Sequence, residues 1–468
     1  MTRVRTLSLV ALSLCALASP AAGDDAIPNA KKAKAIADRD RAWLGDATRT
    51  AYRSVGRHNP KWDADVEMAF RSDLDRAYGS YWDRPAAEAR LRAALQSAAD
   101  AGCDDPLVGY LRARSAPRRS GEDEADRSAA DLVAAATALG ASEYPAVWKA
   151  RAYLDALAAL PAEPRTGGKQ FDAFLGGLVQ ALGGLGKDTG PAARRELVEL
   201  CGRADMAGAR VGRRQAWFER VRADVLAGLP KDDPAPDACA GEFWLRYAWD
   251  TRGPSRASQV PPGAWRLFQE RLGEAEKRLT AAWDLDHDCE PAAAAMVSVC
   301  MGLGKDRETM EAWFRRAVAA DPTRTEAFER KFEYLLPKWL GSEDELIAFG
   351  RQAAAVGAWD TALPLVLLRA YKDLAPVSSG LKPDHYFGRP QVWADVGPVL
   401  EELRKRHPKS PSAASAYLYF AWQCDRNAAE ALEFVRAQTL PLRIGLFPGP
   451  LHVDMARDWA KGKAESKD

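Results

Sequence analysis

The chain has 468 residues, of which 47% are hydrophobic and 28% charged, and its formal net charge is +1. That composition belongs to a folded protein with a substantial core, not to a disordered one. A charge so near zero argues against a nucleic-acid binder, which would carry a basic excess or stripe.

The first 23 residues read as a cleaved signal peptide. Arg3 and Arg5 make a positive start, an apolar run of 12 residues from Leu7 to Ala18 follows, and Ala21-Ala22-Gly23 supplies small residues before Asp24. A membrane-spanning helix needs roughly 20 apolar residues, and neither this run nor any later segment reaches that length. A lipoprotein is the rival reading, because Cys15 follows a short apolar stretch, but the bulky Leu14 stands before it. Cleavage removes two arginines and no acid, so the mature chain carries −1 and is expected in the periplasm or outside the cell. Cys103, Cys201, Cys239, Cys289, Cys300 and Cys424 survive it, an even number in an oxidising compartment whose pairing sequence cannot choose. Their wide spacing favours small buried helix residues. None lies in a CxxC pair, so no zinc site is expected.

Alanine-rich amphipathic segments near 30–55, 62–79, 85–101, 125–139, 144–160, 170–185 and 191–204 predict an irregular helical region over 24–237. Candidate linkers rich in Pro, Gly, Ser or charge fall at 112–127, 160–169, 229–238, 250–263 and 374–389. The proline cluster at 229–238 marks the domain boundary, and the long 374–389 stretch is the loop expected to be mobile or functional.

From 238 to 468 the pattern is more regular. Met310, Trp313, Phe314, Ala317 and Val318 share one helix face, and Phe328, Phe332, Leu335 and Leu336 another. Thr323 with Glu326 and Ser342 with Glu345 fit the capping box, while Gly341 and Gly357 sit where helices should stop. Ala282-Trp283-Asp284-Leu285-Asp286 and Ala317-Val318-Ala319-Ala320-Asp321 occupy one helix-end register 35 residues apart. A third end at 353–357 follows at a similar interval, near the period of a tetratricopeptide unit. Ser410-Pro411 opens a further helix in cap-then-proline order, with 413–424 and 428–437 as a last pair. The expected fold is all-α, a tetratricopeptide-like α-solenoid of stacked antiparallel helix pairs.

Several segments resemble an uncharacterised family of exported bacterial tetratricopeptide-like proteins. They are Val55-Gly56-Arg57-His58-Asn59-Pro60-Lys61-Trp62-Asp63, Gly102-Cys103-Asp104-Asp105-Pro106-Leu107-Val108, Met310-Glu311-Ala312-Trp313-Phe314, Tyr334-Leu335-Leu336-Pro337-Lys338-Trp339-Leu340-Gly341-Ser342 with Phe349-Gly350-Arg351, and Val392-Trp393-Ala394-Asp395-Val396. The resemblance implies a helical repeat fold and export; it brings no activity and no site residue.

No constellation specifies a reaction. The acidic run Asp284 to Glu290 suggests a calcium loop, yet Cys289 stands where the turn glycine belongs and Ala295 where the bidentate glutamate belongs, leaving a capped inter-helix turn. Gly184-Leu185-Gly186-Lys187-Asp188 recurs as Gly302-Leu303-Gly304-Lys305-Asp306, but aspartate replaces the magnesium-binding Ser or Thr of a phosphate loop, so both read as glycine-ended helices. The five histidines are scattered, without HExxH, and no serine lies in a GxSxG turn. Most of the 15 tryptophans, among them Trp283, Trp313, Trp339 and Trp422, fall on apolar stripes. The candidate binding surface is Trp244, Tyr247 and Trp249 before the Asp250 loop, together with His385 and Tyr386 in the 374–389 stretch. The expected function is an exported, non-enzymatic scaffold for a protein or peptide partner, with no cofactor and no metal. A small-ligand binder or enzyme whose site assembles only on folding is the alternative.

Overall fold

The computed structural model describes residues 30–116, 122–160, 164–210, 212–375 and 386–465. The expected signal peptide, His385 and most of the 374–389 linker lie outside them. Among the described residues every regular element is a helix. The first stretch holds α1 (Ala30–Val55), α2 (Asp63–Tyr78), α3 (Arg84–Asp100), α4 (Pro106–Ser115), α5 (Glu122–Gly140), α6 (Ala146–Ala159), α7 (Pro164–Leu185), α8 (Pro191–Arg210) and α9 (Arg214–Asp224). Then come α10 (Ala235–Arg252), α11 (Pro262–Leu285), α12 (Glu290–Leu303), α13 (Arg307–Ala320), α14 (Glu326–Tyr334), α15 (Glu343–Ala355) and α16 (Pro364–Leu374). The last are α17 (Pro390–Arg406), α18 (Pro411–Cys424), α19 (Ala428–Arg436) and α20 (Pro450–Glu465). Consecutive helices pack in pairs, an arrangement consistent with a helical repeat.

The boundaries follow from turn chemistry. Pro106, Pro262, Pro291, Pro364, Pro390 and Pro411 each stand in the first turn of their helix, where a missing amide hydrogen costs nothing. Ser410 caps α18 by accepting from the Ala413 amide at 3.3 Å, as its Ser-Pro pair predicts. Helix α4 does not appear among the predicted segments, although Asp105-Pro106 announces it: the Asp105 carboxylate accepts from the Leu107 and Val108 amides at 2.9 and 3.1 Å. Two of the segments that carry the family resemblance meet at this cap. Arg57 donates its backbone amide to Asp105 at 3.0 Å, and Tyr52 beside them donates its hydroxyl to Asp63 at 2.7 Å.

The 35-residue register is real at the level of the backbone. α11, α13 and α15 end at Leu285, Ala320 and Ala355. The first two stop alike, with Asp286 and Asp321 in extended conformation donating their amides to Ala282 at 3.1 Å and Ala317 at 3.0 Å. α15 ends instead on Gly357, whose φ of 72° is left-handed. Of the Ser342 box the cap forms, with the Glu345 amide donating to Ser342 Oγ at 3.3 Å, while the Glu345 carboxylate accepts from the Ser342 hydroxyl at 2.9 Å. The Thr323 box does not. Asp321 takes both the amide and the hydroxyl of Thr323, at 2.9 and 2.6 Å, and this turn delays the helix to Glu326.

Three contiguous cores result. The first runs from α1 to the start of α10, the second from α10 to α16, and the third from α15 to α20. Cys201, Cys239, Cys289, Cys300 and Cys424 are buried and Cys103 is half-buried. One residue is out of sequence order: Trp82, in the turn between α2 and α3, is 1% exposed and belongs to the third core. Its carbonyl accepts from Ser410 Oγ at 2.7 Å, its ring stacks on His407 at 5.9 Å, and the neighbouring Tyr81 amide donates to the Asp360 carbonyl at 2.7 Å. The early helices are thereby fastened to the late ones. Trp82→Ala should remove about 3–5 kcal/mol of stability, read as a lower urea midpoint; an unchanged midpoint would show the contact to be dispensable.

Candidate functional site

Beside that fastening lies a half-open cavity of about 1100 Å³. Its walls come from α1, the α2–α3 turn, α8, the turn into α14, the α15–α16 turn, α16 and the end of α17. Its inner wall is an ion-pair network. Arg195 of α8 lies 2.9 Å from Asp40 of α1 and 2.6 Å from Asp321 at the end of α13. Arg324 lies 3.2 Å from Glu199 and reaches back toward Asp321. Glu196 receives Arg151 Nε at 2.7 Å. Burial works to raise the Glu196 carboxyl, but the Arg151 guanidinium outweighs it and holds the group below the usual carboxylate range. Since Asp321 is 2% exposed, losing one partner here would strand a buried charge, so the wall is fixed in place.

Aromatic rings line another part of the cavity. Trp43 of α1 donates Nε1 to Asp188 at 2.9 Å. Tyr78 and Tyr81 come from the end of α2 and the turn that carries Trp82, and Trp359 from the α15–α16 turn. Burial pushes the Tyr78 hydroxyl up to about 12, so it stays protonated and can donate. Fixed charges, hydroxyls and open ring faces together suit a polar ligand held in one orientation.

Behind the wall stands Glu290, in the first turn of α12, 3% exposed and with one carboxylate oxygen unbonded among the described residues. Burial pushes its carboxyl up to about 8; Arg324 and Arg330 pull it down, while Glu326 and Asp321 raise it further.

The predicted surface residues lie elsewhere. Trp244, Tyr247 and Trp249 on α10 are half-buried, and none lines the cavity. Arg271 sits 3.4 Å over the Tyr247 ring, and Trp249 packs edge-on to Phe268 and Trp339 at 5.0 and 5.5 Å. Tyr386 is 4% exposed in the third core, and His385 is outside the described residues. Asp286 accepts from the Asp288 amide at 2.8 Å, as a turn residue does, and Asp306 caps α13 through the Thr309 amide at 2.7 Å. Among the described residues no helix is long and apolar enough to cross a membrane. The cavity residues left no linear signal beyond two short turns, Gly79-Ser80-Tyr81-Trp82-Asp83 and Gly357-Ala358-Trp359-Asp360, each placing an indole beside an acid.

No known protein family matches the chain, and no curated protein matches it.

Glu290 also sets a pH dependence. Its folded form keeps a proton that the unfolded chain, titrating near 4.5, gives up, so stability falls as pH rises from about 4.5 to about 8. Glu290→Gln, which stays neutral, should match the wild type in melting temperature near pH 4 and exceed it increasingly toward about pH 8. A gap independent of pH would contradict this.

Proposed function

We propose that the protein is an exported, non-enzymatic scaffold of the tetratricopeptide-like α-solenoid kind, and that the cavity receives a peptide segment of a protein partner. The observation that carries the reading is the cavity itself. It is walled by helices from distant parts of the chain, and the charges of its inner wall are neutralised in internal pairs, so a ligand meets there a rigid polar surface that needs no reorganisation. The 35-residue recurrence of helix ends supports the solenoid, because stacked pairs of this kind bury a continuous core and leave a concave face for extended partners. Export rests on the N-terminal pattern of Arg3, Arg5 and the apolar run after them.

The cavity volume of about 1100 Å³ also lies near the upper end of the range for small-molecule sites. It thus favours, as a second reading, a small-ligand binder, which a thermal-shift screen with metabolites and sugars would reveal. For the peptide reading, Ala362 offers a small half-buried side chain to the cavity. Ala362→Trp should put a bulky ring into the space and obstruct it. In a pull-down from envelope extract, a partner held by the wild type should be lost by this variant at unchanged melting temperature; equal capture by both would sink the reading.

A further inference from the structure

Three arginines line the cavity, each with an aromatic ring beneath its guanidinium: Arg84 over Tyr81 at 5.1 Å, Arg369 over Phe332 at 4.4 Å and Arg406 over Trp359 at 5.9 Å. They come from the start of α3, from α16 and from the last turn of α17, so their convergence is a product of the fold and not of a local charge pattern. Their donors are largely uncommitted. Arg84 forms no ion pair among the described residues. Arg369 gives its Nε to Asp373 at 3.1 Å and Arg406 its Nε to Glu402 at 2.6 Å, each four positions away on its own helix. The Nη atoms of both make no hydrogen bond among the described residues. Both side chains are about half exposed, where such i,i+4 pairs contribute little and yield readily to a stronger partner.

Arg195 and Arg324 in the same cavity differ: each is spent on carboxylates of the inner wall. The same side also carries Asp360, 3.9 Å from His407 Nε2, and Glu329, whose carboxylate accepts from Thr325 Oγ1 at 3.4 Å. These acids do not occupy the three guanidinium heads. A guanidinium laid on a ring presents a planar fork already oriented, which suits bidentate capture of a carboxylate.

We propose that this face of the cavity binds the carboxylates of an acidic peptide segment; the inference rests on the peptide-binding reading above and names its ligand chemistry. The test is calorimetric titration of the full chain with an acetylated hexaglutamate amide and with hexaglutamine of equal length. Hexaglutamate should bind at least about tenfold more tightly than hexaglutamine. The combined variant Arg84→Gln, Arg369→Gln, Arg406→Gln should lose at least about tenfold in hexaglutamate affinity at unchanged melting temperature. A control removing exposed cations elsewhere (Arg53→Gln, Arg222→Gln, Lys277→Gln) should bind as the wild type does. No hexaglutamate binding, equal binding of the two peptides, or equal loss in the control would overturn the inference. Binding lost in Ala362→Trp but kept in the arginine variant would overturn it while leaving the cavity reading standing; binding kept in both would count against the cavity as well.

Discussion

The indole of Trp82 is the contact on which the interior space depends. It sits in a turn between two early helices, yet it packs in the core of the last helices, against His407 and Ser410 more than three hundred positions later, and it is buried. A tryptophan contributes a large apolar area wherever it is excluded from water. Here that area is placed between two distant parts of the chain, which the Arg195 pairs with Asp40 and Asp321 also tie together. Two hydrogen bonds beside it, from Ser410 Oγ to the Trp82 carbonyl and from the Tyr81 amide to the Asp360 carbonyl, fix its backbone, while the buried indole N–H has no hydrogen-bond partner among the described residues.

Once the chain is closed on itself, charge has to be managed inside it. Asp40, Asp321 and Glu196 are carboxylates withdrawn from water, and each is met by a guanidinium from a different helix. A buried pair of this kind is weak evidence for net stability, because desolvation offsets most of the Coulomb gain. Its consequence is geometric. Arg195 joins α1, α8 and the end of α13, so the inner wall is held by bonds with direction as well as by packing. Glu290 is not fully balanced: Arg324 and Arg330, which lower its carboxyl, are shared with other acids, and burial raises it. Elsewhere in the lining Arg84, Arg369 and Arg406 lie over rings, so one cavity combines charges paired among themselves with guanidinium groups whose terminal donors are largely uncommitted.

Most of the helical content is legible in the amino-acid order. Segments of alanine-rich amphipathic pattern become α1, α2, α3, α5, α6, α7 and α8 with ends displaced by a few residues, because periodicity reports burial and not the cap. Where a cap is written in the chain, as in Ser342 or Ser410-Pro411, the end is found; where Asp321 competes for Thr323, the helix begins later than its capping box suggests. α4 goes unread for the converse reason, since its apolar face is short and its signal is the single Asp105-Pro106 step.

The sequence by itself determined an all-α chain, its helix-ending register of 35 residues and most of its turns, because these are fixed by interactions between residues a few positions apart. Which residues face one another across the cavity was decided by the tertiary structure. Trp43, Tyr81, Arg195, Trp359, Arg369 and Arg406 come from six separate elements, and nothing in local periodicity relates them. Trp244, Tyr247 and Trp249, close together in the chain, are instead taken up by neighbouring rings and by Arg271 and Arg252. Local spacing specifies a helix, but only long-range burial, led by Trp82, specifies which helix faces meet.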